Sequence, residues 1–311
     1  MHKCIIWGTG NDYDRLYNSI WLQTYKCNME VTAVVTQKEN IYANYIDQIP
    51  VICAAEVQKM QFDYIIVCSS RYFDDICKEI QRMGISRNKV IDGRVFEYAG
   101  FDYNKYINLI ENPVTIISDD CWGGEIYHAL SLPFSSPTIN IAWKKSEYAR
   151  FISDLSYYLE QPLQCEREGN FHTGEHPIGA LGEGAKKVTM ELIHNFSFEE
   201  ARQQWERRKQ RINPDRIFIK FGFDKTDDWE LCMEVFDRLQ YSKICFFPEM
   251  QDKEGYINSG FYKRWTRWNY LKQRVVSYHI EDYIRDSRCT RSAIDILSLL
   301  NGEKNYFRDT D

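Results

Sequence analysis

At 311 residues, with 44% hydrophobic and 27% charged side chains, the chain has the balance of a globular protein long enough for two domains. Its 45 acidic against 39 basic residues give a net charge of −6, which excludes the global basic field that gathers nucleic acid. The 10 cysteines include no Cys-x-x-Cys pair and several fall in apolar runs, so they read as reduced thiols rather than a disulfide framework. No apolar run nears the roughly 18 residues that cross a bilayer, and no signal-peptide core follows Met1, so the expected location is cytoplasmic.

From the N-terminus, Lys3–Trp7 reads as a strand, Gly8-Thr9-Gly10 as a turn, and Tyr13, Leu16, Tyr17, Ile20 and Trp21 as one face of a helix. Further strands are expected at Val31–Val35, Val51–Cys53, Tyr64–Cys68 and Val90–Ile91, with helical patterns at Ala55–Met60 and Phe73–Met83. Strands alternating with helices imply a Rossmann-like parallel sheet. A dinucleotide fingerprint needs a third glycine where this chain has Tyr13, and an acid where it has Thr36 and Gln37. Gly8 and Gly10 therefore either make the turn alone or bind a nucleotide or sugar phosphate through the helix N-terminal amides. Asp102–Glu111 reads as a helix and Asn112-Pro113 as its breaker, which sets domains at 1–112 and 113–311.

Thr115–Trp143 reads as strand, loop, helix and strand, with the second strand at Thr138–Trp143. Asp119, Asp120, Cys121, Trp122, Gly123 and Gly124 fall in the loop, at the sheet edge where open α/β folds place ligands. Either aspartate can cap the following helix. With Ser118 they could instead hold Mg²⁺ or Mn²⁺ against a diphosphate. Cys121, near a helix N-terminus, invites a nucleophile reading. His128, seven residues on, is too far along the helix to serve it as base, which leaves His194. A small cysteine packed behind Trp122 is the plain alternative.

Phe151–Leu159 has helical periodicity, and the glycines and Pro177 between Gln164 and Gly184 mark a loop, read as a lid or binding segment. His172 and His176 are four apart, but Gly174 and Pro177 forbid the helix that a zinc pair at that spacing needs. Lys187–His194 alternates as a strand, which puts His194 at its carboxyl end, and Ser197 with Glu200 forms a capping box for a helix over Phe198–Gln210. Strands at Arg216–Phe223 and Ile244–Phe247 around a helix at Asp227–Leu239 complete a second strand-helix-strand sheet domain. Phe261–Arg274 interleaves aromatic and basic residues, read as an amphipathic helix or a sugar-stacking surface, and Asn301–Asp311 is expected to fray.

The segments IISDDCWGG, SSPTINI, HPIG and HNFSFEEARQQWERRKQRIN together resemble a bacterial domain family of unknown function. Its members are often labelled exopolysaccharide or lipopolysaccharide biosynthesis proteins. The likeness spans about Pro113–Pro248 and includes Cys121, Trp122, Gly123, Gly124, Ser136, Pro137, His194, Trp205, Arg208, Arg211 and Asn213. The family pattern has asparagines in place of Asp119 and Asp120 and tyrosines in place of His176 and Phe196. The N-terminal third is similar to Rossmann-like domains attached to surface-polysaccharide enzymes. The resemblance implies a transferase acting on an activated sugar or glycan. Cys121 and His194 would be catalytic; Asp119, Asp120, Trp122, Gly123, Gly124, Ser136, Arg208 and Arg211 would meet substrate. The alternatives are a non-catalytic module that binds nucleotide-sugar or bridges partners, and a Cys-dependent acyltransferase or hydrolase. No particular cofactor is implied.

Overall fold

The structure is a computed structural model describing residues 1–37, 43–98, 100–170, 174–223, 225, 227–247, 254–258, 265–269, 274–278 and 294–306. It divides into two compact units. One comprises Met1–Glu111, Ala129–Ser131 and Asp286–Asp311; the other comprises Asn112–His128 and Leu132–Arg285.

In the first unit a short apolar run makes the central strand β1 (His2–Trp7), buried from Cys4 onward. It pairs in parallel with β2 (Met29–Thr36) and with β5 (Tyr64–Val67). The remaining strands are β3 (Tyr45–Ile46), β4 (Ile49–Cys53) and β6 (Val90–Asp92). The order is β3-β4-β2-β1-β5-β6, parallel except for β3. The parallel five follow the first five places of the Rossmann order 3-2-1-4-5-6, with the switch point between β1 and β5. Gly8 leaves β1 at φ 113°, and a Cβ there would stand 2.8 Å from the Cys68 carbonyl oxygen, so the turn requires glycine.

Helix α1 (Asn11–Tyr25) buries Tyr13, Leu16, Ile20 and Gln23, a stripe at three- and four-residue spacing. Helix α2 is Phe73–Arg82, and the expected helix at Ala55–Met60 is a 3₁₀ turn over Ala54–Lys59. Helix α3 (Tyr103–Glu111) follows. Gln23 ties α1 to its start: the amide donates to the Phe101 carbonyl at 2.8 Å and accepts from the Tyr103 N–H at 3.1 Å.

The second unit is built on a parallel sheet, β13-β12-β11-β7. Its strands are β7 (Thr115–Ser118), β11 (Ile217–Gly222), β12 (Ser242–Phe247) and β13 (Tyr256–Asn258). Helices α4 (Trp122–Ala129), α5 (Lys145–Ser153), α6 (Leu155–Glu160), α7 (Phe198–Lys209) and α8 (Trp229–Arg238) accompany it. Trp205, Tyr148, Phe151, Phe221 and Phe236 fill its core.

Several expectations are corrected here. Thr138–Trp143 is no strand: 137–140 form a turn with Asn140 at φ 65°, and only Ala142 bridges, to Glu191. The expected loop at Gln164–Gly184 contains β8 (Gln164–Arg167) and β9 (Ile178–Leu181). With β10 (Val188–Glu191) they form an antiparallel sheet, so His194 follows an antiparallel strand rather than the edge of the parallel sheet. Of the aromatic-basic run, Trp265–Asn269 is strand β14, paired with β15 (Arg274–Tyr278); residues 261–264 and 270–273 lie outside the described residues. Asn301 does not fray: it caps a five-residue helix, α9 (Ile296–Leu300), whose residues are all buried in the first unit. Residues 307–311 lie outside the described residues.

Candidate functional site

The site of the second unit begins with a lysine inside an apolar strand. In β11 the sequence IFIKFG places Lys220 among residues buried on both faces, opposite Ser118 in the parallel register with β7. Lys220 is 1% exposed, so its charge needs a partner. The chain supplies two: Asp119 at 3.2 Å and Asp120 at 2.6 Å, the residues that follow β7. Lys145, the first residue of α5, closes the group with an ion pair to Asp119.

Two carboxylates and two ammoniums thus cancel at the carboxyl edge of the sheet. Burial pushes the Asp120 carboxyl up, but the Lys220 charge and hydrogen bond outweigh it and hold it at about 2. Burial works against the Lys145 charge, and Asp119 more than offsets it, so that pKa is raised. Asp120 also caps α4, accepting the Trp122 N–H at 3.0 Å. The Ser118 hydroxyl donates to the Asp120 carbonyl at 2.8 Å and accepts the Gly123 N–H at 3.2 Å, which fixes the turn. With Lys220 and Lys145 against the two carboxylates, their charge is already matched, and they leave no excess to draw a divalent cation.

Cys121 lies between that turn and α4 and is partly exposed. Its Sγ is 3.9 Å from Nε2 of His194, 73 residues later in the chain. His194 is exposed and holds φ 63°, an uncommon conformation for a side chain of its size. His128 is exposed near the end of α4. Beside His194 is a cavity of about 340 Å³ lined by Asn170, Gly174, Glu175, His176, His194, Asn195 and Phe196. His172 lies outside the described residues.

The other expected contact residues make these contacts within the protein. Trp122 is fully buried, stacked on Phe218 at 6.2 Å and edge-on to Phe246, so it faces the core and not a ligand. Gly123 and Gly124 let α4 approach its neighbours: Cβ atoms there would stand 2.9 Å from the Ser118 hydroxyl oxygen and 3.0 Å from Ile139. Ser136 is buried and hydrogen-bonded to Thr138. Arg208 is buried and donates to the Ile139 carbonyl at 2.9 Å, its pKa lowered to about 10 by burial and by Arg207 and Arg211. Arg211 is exposed and donates to the Phe134 carbonyl at 3.4 Å. Lys145 and Lys220 were absent from the sequence reading; the signal for Lys220 was a lone charge within IFIKFG, while nothing local marks Lys145.

In the first unit Gly8 and Gly10 border a cavity of about 1040 Å³, with Thr36, Gln37, Cys68 and Ser70 also on its wall. The Thr9 and Thr36 hydroxyls lie 3.0 Å apart, where a dinucleotide fold would have its acid. Asp12 in the first turn of α1 accepts from the Ser70 amide at 2.6 Å and hydroxyl at 2.7 Å, and these bonds lower its pKa. With Asp14 it puts negative charge where a phosphate would meet the helix amides. Among the described residues no helix is long and apolar enough to cross a membrane.

The architecture is thus that of a two-unit α/β protein, Rossmann-like at its N-terminus, with a thiol and an imidazole meeting over a neutral charge cluster in the second unit. Residues 92–285 match the domain of unknown function DUF1919, and the chain belongs to that family. Residues 1–91 match the family described as C2185-like, N-terminal. An uncharacterised protein of Haemophilus influenzae (strain ATCC 51907 / DSM 11121 / KW20 / Rd) is 29% identical over 162 residues, 50% of this chain and 73% of that protein. A solved structure of a dehydrogenase (MviM) from Clostridium difficile is similar over 63% of this chain and 72% of its own, with 13% identity and a TM-score of 0.24.

Proposed function

We propose that the protein is a transferase of cell-surface polysaccharide assembly, acting on an activated sugar or a growing glycan, with Cys121 and His194 at its reacting centre. The observation that carries this reading is the 3.9 Å approach of Cys121 Sγ to His194 Nε2 beside an open cavity. The imidazole there is placed to accept a proton from an acceptor hydroxyl as that oxygen attacks the activated carbon, while the bond to the leaving group breaks. The Asp119–Lys220–Asp120 pairs hold the Cys121 turn rigid beneath it. The carbohydrate assignment is supported by the motif resemblance at Cys121–Gly124 and His194. The test is turnover of a panel of nucleotide-sugars by the full chain, with Cys121→Ala and His194→Ala alongside. Turnover lost in both variants supports the reading; turnover kept in both refutes it.

The same contact favours a second reading, Cys-dependent acyl transfer or hydrolysis, in which His194 takes the Cys121 proton, the thiolate attacks the acyl carbon of a thioester, and the bond to the leaving thiol breaks as that thiol takes the proton back from His194. A covalent acyl adduct on Cys121, seen by mass spectrometry after incubation with acyl-CoA, selects that reading over the first. If neither assay gives turnover or adduct, a non-catalytic nucleotide-sugar-binding or partner-bridging module remains, with the Gly8–Gly10 cavity as its ligand site.

A further inference from the structure

The cavity beside His194 has a chemistry of its own. At about 340 Å³ it sits at the small end of ligand pockets, room for one or two rings rather than a polymer. On its wall Phe196 is an aromatic side chain 68% exposed, although large apolar groups are normally covered. Next to it Asn195 is 6% exposed and half satisfied. Its Nδ2 donates to the Leu192 and Ile193 carbonyls, which accept only from a donor, so the amide orientation is fixed by its neighbours. That leaves Oδ1 as a buried acceptor without a partner among the described residues. An unmet buried acceptor is unfavourable by about 1–3 kcal/mol, and a ligand that brings a donor recovers it.

The charge of the lining narrows the ligand. Among the described lining residues Glu175 is, apart from the two histidines, the single ionisable side chain, and none of them is a lysine or arginine. A phosphate or carboxylate would meet Glu175 without a permanent counter-charge. A neutral ring with hydroxyl donors on its edge and C–H groups on its face matches every feature named: the face stacks on Phe196, a hydroxyl donates to Asn195, and others reach Glu175 and His176.

We infer that this cavity is a pyranose-binding subsite, with Phe196 as the stacking platform and Asn195 Oδ1 as the acceptor for one ring hydroxyl. The inference deepens the transferase reading and rests on it for one point only, that the ring it holds is the one presented to His194. The ring's binding is tested apart from any reaction by using sugars that cannot be transferred.

The experiment is ligand-observed saturation-transfer NMR on the full chain with millimolar methyl glycosides of glucose, galactose and N-acetylglucosamine. At least one glycoside is expected to receive saturation on its ring C–H protons. Phe196→Ala, an exposed truncation that leaves the core intact, weakens it about tenfold, the loss of one stacking contact, while Phe196→Trp retains it. No saturation of any glycoside, or saturation undiminished in Phe196→Ala, overturns the proposal. Phe196-dependent binding in a protein that turns over no nucleotide-sugar upholds the subsite and removes the transferase reading. Nucleotide-sugar turnover that ignores Phe196→Ala does the reverse.

Discussion

Replacing Lys220 by methionine tests the charge cluster directly. Methionine fills much of the lysine volume, so the perturbation is the loss of an ammonium and not a cavity. Lys220 is 1% exposed and is the partner of Asp120 at 2.6 Å and of Asp119 at 3.2 Å; without it Lys145 is the one ion-pair partner left among the described residues for two carboxylates, one of them fully buried. Removing one side of a buried ion pair destabilises by about 3–5 kcal/mol. Part of that is carried by the Asp120 carboxyl, which the Lys220 charge and hydrogen bond hold at about 2 against an ordinary 3.8, a contribution of roughly 2 kcal/mol at neutral pH. Because the folded value is depressed, this contribution is fully present above the unfolded value and is lost as pH falls from 3.8 through about 2.

The assay is hydrogen exchange of peptides covering Thr115–Ser118 and Ile217–Gly222, strands paired in register. Lys220→Met is expected to lower their protection at pH 7 by a few hundred- to a few thousand-fold, about 3–5 kcal/mol of opening free energy, and to flatten the loss of protection between pH 4 and pH 2. Adding Asp120→Asn removes one of the orphaned charges and restores part of the loss. A change below about 1 kcal/mol at pH 7 would refute the argument, because it would mean that water already reaches the cluster.

Other expectations follow from single positions. His194 holds φ 63°, so His194→Gly relieves backbone strain and raises the melting temperature by the equivalent of about 0.5–1 kcal/mol; a lower melting temperature would refute the strain assignment. Gly8→Ala destabilises the first unit by about 2 kcal/mol or more, because of its positive φ and the 2.8 Å approach to Cys68. Gly10→Ala, open within 4 Å, changes urea midpoints little. Gly123→Ala drives a methyl to 2.9 Å from the Ser118 hydroxyl oxygen and lowers stability by about 1–3 kcal/mol on the same assay. Iodoacetamide at pH 8 modifies the partly exposed Cys121 and spares Cys4 and Cys68, whose thiols burial pushes up to about 12; equal labelling of Cys68, read by mass spectrometry, would contradict their burial.

The first sheet was legible because its strands are near-continuous apolar runs, as in CIIW and YIIVC, broken by turns and helical stripes. The second unit was harder for specific reasons. Thr138–Trp143 is apolar because it is buried, not because it is extended; the Ser136 and Thr138 hydroxyls bond each other, and Asn140 turns the chain. Gly179 was read as loop punctuation, yet it lies inside β9, where a Cβ would stand 2.9 Å from Leu163, so it is glycine for packing. The exposed strand Gln164–Arg167 buries no face and therefore shows no alternation. Cys121 and His194 could be named as a pair from chemistry, but their approach depends on the turn after β10, which no local pattern encodes. Trp122 was expected to meet substrate because it falls in the glycine turn, and here it anchors the helix to Phe218.

Helix α9 has a consequence for how the chain is made. Lys105 on α3 donates to Ser298 at 2.7 Å and to Glu303 at 2.8 Å, and Asn301 returns a bond to the Lys105 carbonyl at 3.0 Å. The unit that leaves the ribosome first is therefore completed by residues synthesised after the whole of the other. At ordinary elongation rates that delay is on the order of ten to forty seconds, far longer than a domain of this size needs to fold. Through that interval the first unit lacks the five buried residues of α9 and the bonds they bring to Lys105 of α3.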